Sequence, residues 1–172
     1  MRALLLTAVL AAAACGTPAA GTPVPTDLSA TDLAFVDLVI PQNESALAAL
    51  ALADRPGSAL GPVVARVGER YRSELAQARE LLARAGKAES DQHEGHDMPG
   101  MITAAELAAV EHVQGADFDL RLKVLLRTQF EEARTVARAE LASGTSKPVL
   151  ELGERIDSSR AEFLELLGGS RQ

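Results

Sequence analysis

The sequence holds no tryptophan, one tyrosine, four phenylalanines and a single cysteine in 172 residues. Strands draw on β-branched and aromatic side chains. An aromatic content of 3% in a chain rich in Ala, Leu, Arg and Glu therefore disfavours sheet and favours helix. A lone cysteine excludes an intramolecular disulfide. Basic residues are the minority charge, 17 against 24 acidic for a formal net charge of -7, so the electropositive surface that nucleic acid requires is missing. There is no nucleophile motif, no glycine-rich phosphate loop, and no His/Asp/Ser grouping that spacing would bring together, so no enzymatic activity is expected. The carboxylates alternate with arginines at i to i+4 spacing, which assigns them to solvated outer faces of helices.

What is present begins with the N-terminus. Arg2 supplies a short positive region, and Ala3 to Ala14 form an apolar run too short to span a bilayer as a mature helix, so residues 1–14 read as an export signal. The run ends in Ala12-Ala13-Ala14-Cys15-Gly16, which resembles a bacterial lipobox with Ala12 where leucine is usual. On that reading Cys15 is acylated, becomes the first residue, and anchors the protein to the extracytoplasmic face of the cell membrane. The alternative is an ordinary secretory signal with an incidental thiol. Residues 15–29 repeat Pro, Gly and Thr with little apolar content, the composition of an extended tether.

Hydrophobic periodicity then predicts helices. Ser29 or Thr31 caps the first, with Leu33, Val36, Ile40, Leu47 and Leu50 on its inner stripe, Asn43 on the same stripe, and a kink at Pro41. Asp54-Arg55-Pro56-Gly57 is a turn, and Gly61-Pro62 opens the second helix. That helix buries Val64, Val67, Tyr71, Leu75, Ala78 and Leu82, exposes Glu69, Arg70, Arg72, Glu74, Arg79 and Glu80, and stops at Gly86. Thr103-Ala104-Ala105-Glu106 is a capping box for a short helix running to about His112, whose position suits the helix dipole. A third long helix carries Phe118, Leu122, Leu125, Gln129, Ala133 and Val136 inward and ends at Ser143-Gly144. The fourth starts near Ser146-Lys147-Pro148, buries Val149, Leu152, Ile156, Phe163 and Leu167, and ends at Gly168-Gly169, leaving residues 169–172 as a tail.

The two halves look like diverged copies. Gly68-Glu69-Arg70 recurs as Gly153-Glu154-Arg155, and Val39-Ile40-Pro41-Gln42-Asn43-Glu44-Ser45-Ala46 aligns with Leu126-Arg127-Thr128-Gln129-Phe130-Glu131-Glu132-Ala133, pairing Gln42 with Gln129. An all-α antiparallel four-helix bundle built from a duplicated hairpin, with a short crossover helix, is the expected fold for residues 30–168.

Between the halves lies His93-Glu94-Gly95-His96-Asp97-Met98-Pro99-Gly100-Met101, with two of three histidines and two of three methionines. Thioethers favour Cu(I), and imidazoles with Asp91, Glu94 and Asp97 nearby suit Cu(II) or Zn(II), so His93, His96, Met98 and Met101 are the candidate metal ligands and copper the candidate ion. The competing reading makes Met98-Pro99-Gly100-Met101 a packing element that tucks the crossover onto the bundle. His112 is a further candidate for the cluster.

The order Asp32, Phe35, Val39-Ile40-Pro41, then Glu74-Leu75 with Leu81-Leu82, Met98-Pro99-Gly100-Met101, Glu106-Leu107 and Gly115-Ala116-Asp117-Phe118-Asp119 resembles the bacterial secreted family known as domain of unknown function 305. The resemblance covers about residues 30 to 168. It implies a ferritin-like four-helix bundle, exported or membrane-anchored, in a family with some members linked to copper through His and Met. It also implies a His-His pair in the first helix and another in the third, where this chain has Gln42-Asn43 and Gln129-Phe130. Carboxamides are poor ligands for such ions, so these residues are expected to be buried amides hydrogen-bonded across the bundle. A ferritin-type di-iron site is disfavoured, since no Glu precedes a His by three residues. Two functions stay open: a surface lipoprotein that binds or buffers copper, and a metal-free degenerate bundle that serves as an envelope interaction or structural module.

Overall fold

Ser29 opens the first helix with a reciprocal cap: the Asp32 amide donates to Ser29 Oγ at 3.2 Å, and the Ser29 amide donates to the Asp32 carboxylate at 2.9 Å. In the computed structural model, which describes residues 27–90, 93 and 96–168, five helices follow. They are α1 (Ala30–Leu52), α2 (Gly61–Arg84), α3 (Ala104–Glu111), α4 (Gly115–Ser143) and α5 (Lys147–Gly168). The export signal, Cys15, the tether up to residue 26, Asp91, Glu94 and the tail 169–172 lie outside the described residues.

The pairs α1–α2 and α4–α5 form two hairpins, and contacts of α1 with α4 and of α2 with α5 close the square. The small α3 lies against α1 and α4. This is the expected antiparallel four-helix bundle with a short crossover helix. The anticipated stops hold: Gly86, at φ +66, lets Lys87 N–H turn back to Leu82 C=O at 2.9 Å, and His112 caps α3. The helix α1 runs through Pro41 without interruption. It has the length and apolarity of a membrane span, but half of its most apolar stretch is buried inside the bundle.

The inner stripes are slightly rotated from the spacing-based ones. Leu33 and Leu47 are half-buried while Phe35, Val39, Ala46 and Ala49 fill the interior of α1. On α4, Leu126 and Phe130 are buried and Leu125 is half-buried. The core divides into two clusters, one around Leu50, Leu60, Val67, Phe118, Phe130 and Phe163, the other around Phe35, Val39, Leu75, Leu82, Val149, Leu152 and Ile156. At the far end Arg55 stacks over Phe118 at 3.7 Å and donates to Val113 C=O at 3.2 Å, fastening the α1–α2 turn to the start of α4.

At the near end Asp32 staples two helix starts together. Its buried carboxylate accepts hydrogen bonds from the amides of Ser29, Thr145 and Ser146 and from Thr145 Oγ1, at 2.9 to 3.0 Å. Burial alone would raise its pKa, but these donors outweigh burial and hold it well below the usual carboxylate range. Glu140 beside it is also buried, and neither of its oxygens meets a donor among the described residues. Burial first, then the neighbouring Asp32, pushes Glu140 up to about 7. Only the protonated form has a hydrogen to offer Asp32.

The two carboxyls therefore act in opposite directions on stability. The Glu140 contribution is complete below its ordinary value of 4.5 and is lost as pH rises to about 7, whereas that of Asp32 is present above 3.8 and lost in strong acid. Glu140→Gln should supply a permanent donor to Asp32 and raise the melting temperature at pH 8 by several degrees, on the order of 2 kcal/mol, with the gain shrinking towards pH 5. Equal shifts at both pH values would contradict the pairing.

Candidate functional site

A layer of polar side chains separates the two hydrophobic clusters, and helix spacing puts it there. Glu74 falls between Tyr71 and Ala78 on the inner face of α2, and Arg160 between Ile156 and Phe163 on that of α5. Both are fully buried. Arg160 Nη1 donates to Glu74 Oε2 at 2.6 Å and to Ser159 Oγ at 3.0 Å, and Nη2 donates to Asn43 Oδ1 at 3.0 Å. Ser159 Oγ donates to the other Glu74 oxygen at 3.1 Å. The guanidinium also lies over the Tyr71 ring at 3.6 Å, while its Nε has no partner among the described residues. Glu74, assigned to a solvated face by its charge, is thus corrected to a core residue. Its spacing was the available signal, matched by an opposite charge at the inner face of α5.

From this layer the network continues to the crossover. Asn43 Nδ2 donates to Tyr71 C=O at 3.3 Å, and the Tyr71 hydroxyl donates to Gln129 Oε1. Burial holds the phenol above its ordinary range against the pull of Arg160, so it remains a hydroxyl donor. Gln129 Nε2 donates to Gly100 C=O at 3.2 Å, and Gln42 Nε2 donates to Pro99 C=O at 2.5 Å. The Gly100 amide donates to Glu132 at 2.7 Å. The expected buried amides, Gln42, Asn43 and Gln129, are therefore bonded across the bundle. The aligned pair Gln42 and Gln129 holds two successive carbonyls from opposite hairpins. Gly100 has φ +77, and a Cβ there would come 2.7 Å from Gln42 Nε2 and 3.2 Å from the Ala133 amide nitrogen, so only glycine fits.

Outside this clasp a cleft of about 710 Å³ opens between α1, the segment after α2, the crossover and the start of α3. Ile40, Pro41 and Ile102 make its apolar part, and Glu44, Glu89, His93, His96 and Met101 also line it. Three of the four candidate ligands are thus brought to one place. The fourth, Met98, is half-buried and does not line the cleft; its carbonyl closes a turn by accepting from the Met101 amide at 2.9 Å. His96 is exposed and His93 and Met101 half-buried. His112 is exposed at the end of α3 and is not among the cleft residues. Among the described residues no three His, Cys, Asp or Glu side chains are gathered closely enough to hold a metal ion. Glu44 and Glu89 were not singled out by spacing, because they come from segments far apart in the chain.

Removing one member of the buried pair leaves the other charge unpaired in the core. Glu74→Gln should cost about 3–5 kcal/mol, read as a fall in the urea midpoint, whereas the joint replacement Glu74→Leu with Arg160→Met should cost much less. Equal losses would show that the pair is not electrostatically coupled.

The fold has recorded counterparts. A crystal structure of a DUF305 fragment from Deinococcus radiodurans superimposes with a TM-score of 0.72 at 16% identity, covering 83% of this chain and 95% of that one. A DUF305 protein from Streptomyces coelicolor, presumed to be secreted, superimposes with a TM-score of 0.70 at 14% identity, covering 80% and 89%. At these identities the likeness is one of fold. No curated protein matches the chain. The family model described as domain of unknown function (DUF305) matches residues 32–167, which is most of the sequence and includes all five helices almost end to end. The chain therefore belongs to the DUF305 family.

Proposed function

We propose that this protein is exported, anchored by lipid to the outer face of the cell membrane, and binds or buffers copper at the crossover cleft without catalysing a reaction. The observation that carries the copper reading is that His93, His96 and Met101 line a single cleft. Neutral imidazoles are good ligands for Cu(II), a thioether accepts Cu(I), and the adjacent carboxylates of Glu44 and Glu89 add oxygen donors. No thiolate is present there, since the only cysteine is Cys15, so the affinity expected is that of a buffer and not of a tight carrier. The donors are not drawn together in advance, and ordering them around an ion has an entropic cost that lowers affinity further.

Export is supported by the apolar run Ala3 to Ala14 ending in Ala-Ala-Ala-Cys-Gly, and by the tether composition that follows Cys15. The Streptomyces coelicolor relative, presumed to be secreted, agrees with it. Several acyl chains on one residue would give stable anchoring. Cys15→Ser should move the protein from the detergent phase to the aqueous phase on Triton X-114 partition. An unchanged distribution would leave only the ordinary secretory signal.

A second reading has its own observation. Pro99 and Gly100 are held by Gln42 and Gln129, the places where the family resemblance implies histidine pairs, so the crossover serves packing. A metal-free bundle acting as an envelope interaction or structural module would follow. Replacing His93, His96, Met98 and Met101 together separates the two. Copper binding predicts that competition against chromogenic chelators, tried with Cu(I) and with Cu(II), weakens by about tenfold or more for at least one ion. Unchanged competition would leave the metal-free module.

A further inference from the structure

The two carboxylates on the cleft are already engaged by a cation from this chain. Arg79, near the end of α2, donates through Nε and Nη2 to both oxygens of Glu89, at 2.9 and 3.2 Å, and through Nη2 to Glu44 at 2.6 Å. Glu44 comes from α1 and Glu89 from the segment after α2, so one guanidinium ties together two walls of the cleft that His93, His96 and Met101 also line. The fork on Glu89 is the strong geometry for Arg and carboxylate. Yet all three side chains are between 41% and 50% exposed, where an ion pair contributes little and can yield to a competing cation.

We propose that Arg79 is the built-in counter-cation of the cleft, and that Cu(II) arriving beside His93 and His96 takes Glu44 and Glu89 from it. Arg79 then sets the affinity for the divalent ion and, through the donors it releases, the preference between oxidation states. With Met98 outside the lining, the described residues of the cleft offer one thioether against two imidazoles and two carboxylates. That donor set suits Cu(II) over Cu(I). This inference rests on the copper reading, and its failure is separable from the failure of that reading.

The test uses the full chain and titrates Cu(II) and Cu(I) separately against chelators specific for each. Arg79→Gln should tighten Cu(II) binding about tenfold, on the order expected for removing one nearby positive charge and freeing two anions, and leave Cu(I) within about twofold. Arg79→Lys should stay near the parent, because a lysine still supplies the positive charge. Adding Glu44→Gln and Glu89→Gln to Arg79→Gln should abolish the gain. Unchanged or weaker Cu(II) binding in Arg79→Gln, an equal gain for Cu(I), or a gain that survives loss of both carboxylates would overturn the role of Arg79. If instead the parent chain competes for neither ion, or competes equally well without His93, His96, Met98 and Met101, the copper reading itself fails.

Discussion

The buried ion pair between Glu74 and Arg160 is the constraint on which the arrangement of the bundle depends. Two full charges withdrawn from water are tolerated only when every nearby donor and acceptor is arranged for them. Here Ser159, Asn43 and the face of Tyr71 join the pair, drawing on α1, α2 and α5, and among the described residues only Arg160 Nε of the guanidinium is left without a hydrogen-bond partner. Because the pair lies where the two hydrophobic clusters meet, a one-turn slip of either helix would carry a charge into hydrocarbon. The apolar surfaces alone do not impose that register, since leucine and alanine stripes can pack in several ways. The polar layer turns a generally compatible packing into one alignment.

The crossover inherits its position from the same layer. Tyr71 orients Gln129, Gln129 holds Gly100, and the matching Gln42 holds Pro99, so a chain of hydrogen bonds runs from the core to the connection between the hairpins. The glutamines occupy aligned positions in the two halves of the sequence, and each amide donates to a carbonyl of the crossover, Gln129 to that of the buried Gly100. In this DUF305 chain the amides of Gln42 and Gln129 keep the connection docked, while His93, His96 and Met101 line the cleft on its other side. Packing and ligand display are thus divided between the two sides of one segment: Pro99 and Gly100 face the glutamines, and His93, His96 and Met101 face the opening.

Charge is treated differently at three places in the structure. In the central layer a carboxylate meets a guanidinium; at the corner Asp32 is satisfied by backbone and hydroxyl donors while Glu140 gains a proton; at the cleft Glu44 and Glu89 share Arg79 in contact with water. The order follows solvent access. Where water is excluded a charge is met by an opposite charge and fixed donors or by a proton, and where water reaches the groups a loose, exchangeable pair suffices.

The sequence by itself determined the class and outline of the fold. Scarce aromatics, helical spacing, the Ser29 and Thr103 caps and the Gly86 stop are local signals, and each depends on neighbours within one turn. The buried amides were legible on their stripes for the same reason, and the closeness in sequence of His93, His96 and Met101 let three of the four candidates be found at one cleft. Tertiary structure alone decided the rest. Glu74 reads as a surface residue until an arginine from a helix 86 positions away meets it. Glu140 reads as a surface carboxylate until Asp32, far from it in sequence, is brought alongside. Arg79, Glu44 and Glu89 have no common motif, because α1, the end of α2 and the segment after it are brought together only by the packing of the first hairpin. Burial, and hence the energy of a charge, depends on what distant segments remove from water, and one helix's periodicity carries no record of its partners.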